Sequence, residues 1–310
     1  MGKMGVKPKH FLSINDLTPT ELQELLDSAV ELKSRGWISM LKNKTLAILF
    51  EKPSLRTRVS FEVAMRQLGG QTIYLSPEEV GLGKRESIPD VARVLSRFVD
   101  VIVLRTFAQR NLEVLAEYSS VPVINALSDF EHPCQALADL LTIYENKGKL
   151  KWLTLAYIGD GNNVANSLLL ACAMTGVNFN IASPQGYTID ESVLKKARSY
   201  AKTSGAKIFC TEDPHAAAKD ADVIYTDTWT SMGQEAEAAV RRKVFADYQI
   251  NEKLLALTKK NSIIMHCLPA HHGEEVAVGI LDSPRSVVFD QAENRMHAQK
   301  ALLAWIFAKK

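Results

Sequence analysis

The chain of 310 residues has few cysteines, no long apolar run and no excess of one charge. Its four cysteines, Cys134, Cys172, Cys210 and Cys267, stand far apart with no CxxC pair, which argues against a zinc knuckle or a disulfide framework. Reduced thiols in the cytoplasm are the expectation. No stretch approaches the roughly 18 consecutive apolar residues that a membrane-crossing helix needs. The opening MGKMGVKPKH holds no secretory h-region, and Val6 stands where a myristoylation signal requires Ser or Thr. Thirty-seven Lys+Arg against 35 Asp+Glu leave +2, too little for bulk charge to suggest a nucleic-acid or membrane partner. Any preference for anions must be local. With 46% hydrophobic and 23% charged residues the chain reads as globular, and its length predicts two domains at roughly 150 residues each.

Short β-branched runs alternate with helical patterns, the signature of parallel sheets with crossover helices. In the first half strands are expected over 45–50, 71–75, 99–104 and 121–125, and helices near 55–68, 88–97, 111–118 and 133–146. Gly69 and Gly70 close the first helix, and Ser87 with Asp90 opens the second in the manner of a capping box. The polar stretch 145–151 marks a domain boundary. The second half restarts with a strand over 152–158 and a helix near 162–175 ended by Gly176. Strands follow over 178–182, 207–210, 222–226 and 262–266. A last strand over 287–290 and an amphipathic helix over 293–308 complete an α/β chain of two doubly wound parallel-sheet domains.

Ligands of such sheets bind beyond the carboxyl ends of the strands. After the first strand, Ser54 is placed to cap a helix whose first turn brings free N–H groups, the positive end of the dipole and the Arg56 and Thr57 side chains to one spot. That spot suits phosphate; solvated arginines on a capped helix are the bland alternative. Arg105 ends the third strand. After the fourth come His132, Pro133, Cys134 and Gln135, with Pro133 in a first helical turn, so that His132 is placed to polarise a carbonyl or to serve a structural hydrogen bond. In the second half, Gly159-Asp160-Gly161-Asn162-Asn163 lacks the third glycine of a dinucleotide fingerprint, and no acidic residue ends the next strand, which argues against a nicotinamide cofactor. Asp227 can hold an ammonium, and Cys267, in electropositive surroundings, would have a lowered pKa.

Together these segments resemble the aspartate/ornithine carbamoyltransferase family along essentially the whole chain. The run from Phe50 to Arg58 is similar to its carbamoyl-phosphate motif, and His132-Pro133-Cys134-Gln135 to its HPxQ motif. Asp227 with Ser231-Met232-Gly233, His266-Cys267-Leu268-Pro269 and the run from Gln291 to His297 resemble the ornithine branch. The resemblance implies a carbamoyl-phosphate-binding domain over 1–147, an ornithine-binding domain over 148–290, and a C-terminal helix, about 291–310, returning to the first domain.

The reaction implied is transfer of the carbamoyl group of carbamoyl phosphate to L-ornithine, giving L-citrulline and phosphate in arginine metabolism, with no cofactor and no metal. By the same resemblance, carbamoyl phosphate is bound by Ser54, Leu55, Arg56, Thr57, Arg105, His132, Gln135, Cys267, Leu268 and Arg295. Ornithine is bound by Asn163, Asp227, Ser231 and Met232, and Arg105, His132 and Cys267 are the catalytic groups. The family motif often carries a hydroxyl where Leu55 stands, and Gln or His where Gly81 stands. The partners implied are the two substrates and further copies of the chain, most simply a trimer whose loop 76–86 reaches a neighbour's site through Lys84 or Arg85. Other readings are a carbamoyltransferase for putrescine or N-acetylornithine, and a non-catalytic phosphate-binding regulator.

Overall fold

The computed structural model describes residues 8–231 and 233–308. The chain forms α1 (Pro19–Arg35), β1 (Thr45–Phe50), α2 (Leu55–Gln67), β2 (Gln71–Leu75), α3 (Pro77–Val80), α4 (Ile88–Leu95), β3 (Val101–Arg105), α5 (Gln109–Tyr118), β4 (Val123–Leu127) and α6 (Pro133–Lys147). There follow β5 (Thr154–Ile158), α7 (Asn163–Thr175), β6 (Asn178–Ala182), α8 (Glu191–Ser204), β7 (Ile208–Thr211), α9 (Pro214–Ala218), β8 (Val223–Thr226), α10 (Ala238–Val244), α11 (Glu252–Leu255), β9 (Ile263–His266) and α12 (Val288–Phe307). Two compact units result. The first runs to Cys134 and takes in the chain from Arg295 onward; the second spans Gln135–Asn294.

The first unit holds a four-stranded sheet in the order β2-β1-β3-β4, all parallel. The inner strands β1 and β3 are apolar on both faces and almost wholly buried, as parallel strands covered by helices should be. The chain before α1 lies beside the outer strand: Phe11 donates to the Val123 carbonyl at 2.9 Å and accepts from Asn125 N at 2.8 Å. The second unit holds five parallel strands in the order β7-β6-β5-β8-β9, with the order reversing between β5 and β8. Crevices at such reversals are where open α/β sheets take ligands. Gly161 sits at this place, and a Cβ on it would lie 2.3 Å from Ile189 N, so close backbone packing explains this glycine.

The expected strand over 287–290 does not form. Ser286 bridges Ile264, with Ile264 N donating to the Arg285 carbonyl at 2.9 Å and Val287 N to the Ile264 carbonyl at 3.1 Å, so the backbone pairing with β9 is an isolated bridge. From Val288 it is helical, and the last helix starts five residues earlier than its amphipathic pattern suggested. The expected strand over 152–158 begins at Thr154, because Trp152 has φ +70°, outside extended backbone. Val99, expected in a strand, belongs to the turn after α4, its N–H donating to the Leu95 carbonyl at 3.0 Å. Ser87 caps α4, accepting from Asp90 N at 3.2 Å and donating to the Asp90 carboxylate at 2.7 Å, which is half of the expected capping box.

Candidate active site

In the first unit the chain leaves β1 through Glu51, Lys52 and Pro53 and enters α2 at Ser54. The Ser54 hydroxyl accepts from Thr57 N at 3.3 Å and donates to Thr57 Oγ1 at 3.0 Å. The N–H groups of Leu55 and Arg56 thus open the helix at the positive end of its dipole. The Leu55 side chain is 78% exposed, so this position offers an anion its backbone and nothing more. Thr57 is buried, and Arg295 donates to its Oγ1 at 3.2 Å from α12.

Arg105 ends β3 at a register shift against β4, and its carbonyl accepts from Glu51 N at 2.8 Å, tying the two strand ends together. Lys52 is buried with Nζ 4.1 Å above the Phe107 ring; burial, followed by the neighbouring Arg105 charge, lowers its pKa. His132 immediately precedes α6. Burial pushes its pKa well below 6.5, and the charges of Arg295, Arg105 and Arg56 push it the same way. The imidazole is therefore neutral at pH 7, a hydrogen-bonding group among cations. A helix N-terminus, three arginines and a buried lysine concentrate positive charge in a chain whose net charge is near zero.

In the second unit Asp227 follows β8. Its Oδ2 accepts from Asn162 Nδ2 at 2.8 Å, and its Oδ1 accepts from the Cys267 thiol at 2.9 Å and from Thr228 N at 2.8 Å. Cys267 thus meets a carboxylate, as a donor, where electropositive surroundings were considered. Asn162 also caps α7, its side-chain oxygen accepting from Val164 N at 3.0 Å and Ala165 N at 3.1 Å. The neighbouring Asn163 is the first residue of that helix. The Ser231 N–H, expected to hold a carboxylate, donates to Gln234 Oε1 at 3.1 Å; the expectation for Met232 lies outside the described residues.

The turn carrying Cys267 is fixed from beneath. His266 Nδ1 accepts from Leu268 N at 2.8 Å, leaving the ring proton on Nε2, which lies 3.2 Å from Glu275 Oε1. Both side chains are fully buried. Burial alone would raise the Glu275 carboxyl, but hydrogen bonds from His266 and from His271 N outweigh it and hold the pKa below the ordinary value. The base of the 227–234 loop is held by Arg241, whose guanidinium reaches Asp160 at 2.6 Å, the Trp229 carbonyl at 2.9 Å and Glu237 at 3.0 Å. Gln135, in α6, donates to Asp139 Oδ1 at 2.8 Å.

Asp227, His266 and Cys267 bring three metal-ligating atoms within 4.8 Å of one another. Both His266 ring nitrogens already have partners, so the arrangement suits a hydrogen-bonded turn better than a resident metal. No helix among the described residues is long and apolar enough to cross a membrane.

Of the residues expected to hold carbamoyl phosphate, Ser54, Leu55, Arg56, Thr57, Arg105, His132 and Arg295 belong to the first unit. Gln135, Cys267 and Leu268 belong to the second, with Asn163, Asp227 and Ser231. Sequence reasoning assigned no role to Lys52, Asn162 or Arg241. The N-cap rule, which favours Asn directly before a helix, would have found Asn162. Gly81, where the family often has Gln or His, ends α3 at φ +53°, and a Cβ there would lie 2.9 Å from Arg85 Cβ. The backbone of this loop requires glycine.

Residues 9–145 match the family model described as the carbamoyl-P binding domain of aspartate/ornithine carbamoyltransferase, and residues 151–306 match its Asp/Orn binding domain. The chain is 55% identical over 302 residues to the ornithine carbamoyltransferase of Anoxybacillus flavithermus, covering 96% of each chain. Ornithine carbamoyltransferase from Pyrococcus furiosus superposes with a TM-score of 0.93 at 51% identity, covering 97% of this chain and 98% of that one. An acetylornithine transcarbamylase complexed with acetylcitrulline gives 0.89 at 32% identity, covering 97% and 100%.

Proposed function

The chain belongs to the aspartate/ornithine carbamoyltransferase family, and from that premise we propose that it transfers the carbamoyl group of carbamoyl phosphate to the δ-amine of L-ornithine, yielding L-citrulline and phosphate. The observation that carries the amine's identity is the Asp227 carboxylate bound to the Cys267 thiol at 2.9 Å. Ornithine offers an α-ammonium for such a carboxylate and a second amine that must lose its proton to attack. N-acetylornithine has no free α-ammonium, and putrescine has no carboxylate.

Carbamoyl phosphate carries its own leaving group, so catalysis here is positioning and charge stabilisation. The N-terminus of α2 with Ser54, Arg56 and Thr57 takes the phosphate, while Arg105 and Arg295 neutralise the charge it gains on leaving. His132, kept neutral by its burial and by the arginine charges around it, donates to the carbamoyl oxygen as the amine adds. Gln135 accepts from the carbamoyl NH2. Asp227 holds the α-ammonium, Asn163 with the Ser231-Met232 segment the carboxylate, and the Cys267-Leu268 turn orients the δ-amine. Such an amine starts near pKa 10, so lowering that value is part of the work.

The domain assignment follows the two ligands: carbamoyl phosphate to 1–147 with the last helix, ornithine to 148–290. The working form is a homotrimer. Leu55, Val59 and the edge-strand residue Ile73 expose apolar side chains, and Lys84 and Arg85 are exposed in loop 76–86, which supports that reading. The four cysteines are thiols rather than disulfides, which supports a cytoplasmic setting in arginine biosynthesis. Carbamoylation measured side by side on ornithine, N-acetylornithine and putrescine tests the amine assignment. Turnover confined to ornithine supports it; a preference for either analogue refutes it.

A further inference from the structure

Asp139 lies in α6, fully buried in the second unit, and the reaction just described gives it no part. Its Oδ1 accepts from Gln135 Nε2 at 2.8 Å and from Gln291 Nε2 at 2.7 Å, and its Oδ2 accepts from the Tyr225 hydroxyl at 3.1 Å. A carboxylate can only accept, so both glutamines must turn their NH2 ends toward it. Their oxygens are thereby aimed elsewhere. The Gln291 oxygen accepts from His266 N at 2.9 Å, at the end of β9 just before Cys267.

We infer that Asp139 is a positioning residue that fixes the amide orientation of Gln135, presenting its oxygen to the carbamoyl NH2, and through Gln291 fixes the strand end that carries Cys267. The inference rests on the function proposed above. The same carboxylate sets hydrogen-bond polarity on the carbamoyl-binding glutamine and on the ornithine-binding turn. A free amide could rotate and offer its NH2 to the substrate NH2, two donors facing one another. Asp139 removes that alternative. Its selectivity consequence is definite: a ligand with NH2 beside the carbonyl benefits from the fixed oxygen, and one with CH3 does not.

The test compares binding of carbamoyl phosphate, acetyl phosphate and inorganic phosphate by calorimetry, without ornithine, in wild type, Asp139→Ala, Gln135→Ala and the double variant, with Asp139→Asn as the conservative control. Alanine removes the acceptor that holds the Gln135 amide, whereas asparagine can keep its oxygen toward both glutamines and turn its NH2 to the Tyr225 hydroxyl, which can accept. Asp139→Ala should weaken carbamoyl phosphate about tenfold, the scale of one lost hydrogen bond, and leave the other two ligands within about twofold, while Asp139→Asn stays near wild type. In the double variant Asp139→Ala adds little to the loss at Gln135. Equal weakening of all three ligands, or additive losses, would mean a structural role and overturn it. Should Asp139→Ala not fold, Asp139→Leu fills the buried volume without an acceptor and is held to the same comparison. If wild type itself makes no citrulline, the functional reading has failed; if it does and Asp139→Ala keeps the preference for carbamoyl over acetyl phosphate, only this inference has.

Discussion

Arg295 Nη2 donates to Thr57 Oγ1 at 3.2 Å, so a side chain 238 residues further along the chain is bound to the first turn of α2. This contact ties the terminal helix to the N-terminus of α2. It places a guanidinium behind the threonine that the capping serine also holds.

Replacing Arg56 by Ala should weaken carbamoyl phosphate about tenfold to a hundredfold, because a charge-assisted bond to phosphate contributes roughly 1.5–3 kcal/mol. Arg56 is only partly buried, so the melting temperature should hardly move. Leu55→Ala should be silent in both measurements, since that side chain is exposed and its backbone N–H remains. Calorimetric titration of the two variants checks the pair of outcomes.

His132 supplies a pH prediction. Its native pKa lies well below 6.5 while the unfolded chain titrates near that value, so between the two the unfolded state binds more protons. This histidine's contribution to stability is thus unchanged above about pH 6.5 and falls as the pH drops from there toward the native value. Denaturant unfolding of His132→Gln should show a shallower loss of stability over that range than wild type. In catalysis, wild-type kcat/KM for carbamoyl phosphate should show no inflection from this imidazole near pH 6.5.

The cysteines should separate cleanly. Cys267→Ala removes the donor to Asp227 and should reduce turnover and raise the ornithine KM by about tenfold while phosphate binding is kept. Cys134 is buried, its thiol pushed up to about 12 chiefly by burial, and it faces the Asn125 carbonyl at 3.3 Å. It should resist alkylation at pH 8, and Cys134→Ala should keep full activity at a stability cost of about 1 kcal/mol. Equal loss of activity at both would point to packing alone.

Assembly is tested by complementation. An inactive variant altered at Lys84 and Arg85 and another altered at Arg56 would be dissociated, mixed and reassociated. Shared sites predict recovered activity, because some sites then draw an intact loop and an intact Arg56 from different chains. Proven mixed oligomers without recovery, or a fully active monomer by light scattering, would contradict the shared site.

Much of this was legible in the sequence because parallel strands and their helices repeat two clear periods. Strands 45–50, 71–75 and 178–182 fall where alternation placed them, and Ser54, Pro133 and Gly176 punctuate their helices as the residue types require. The residues 287–290 misled because Val287 and Val288 have the composition of a strand, but Val287 makes a single backbone hydrogen bond to β9 and Val288 already begins the helix; tertiary contact decided it. Helix α1 was not recognised, although Thr18, Pro19 and Glu21 form a capping box with proline at its start. Arg241 and Asp139 were beyond reach for another reason: their roles are hydrogen bonds to residues 81 and 152 positions away.

The most direct test of the central claim is citrulline formation by the purified wild-type protein given carbamoyl phosphate and L-ornithine, with phosphate release followed in the same reaction. The account predicts citrulline and phosphate in equal amounts, at a rate that collapses in Arg56→Ala at limiting carbamoyl phosphate and in Asp227→Ala at limiting ornithine. Phosphate release without citrulline, or citrulline formation indifferent to both substitutions, would contradict it.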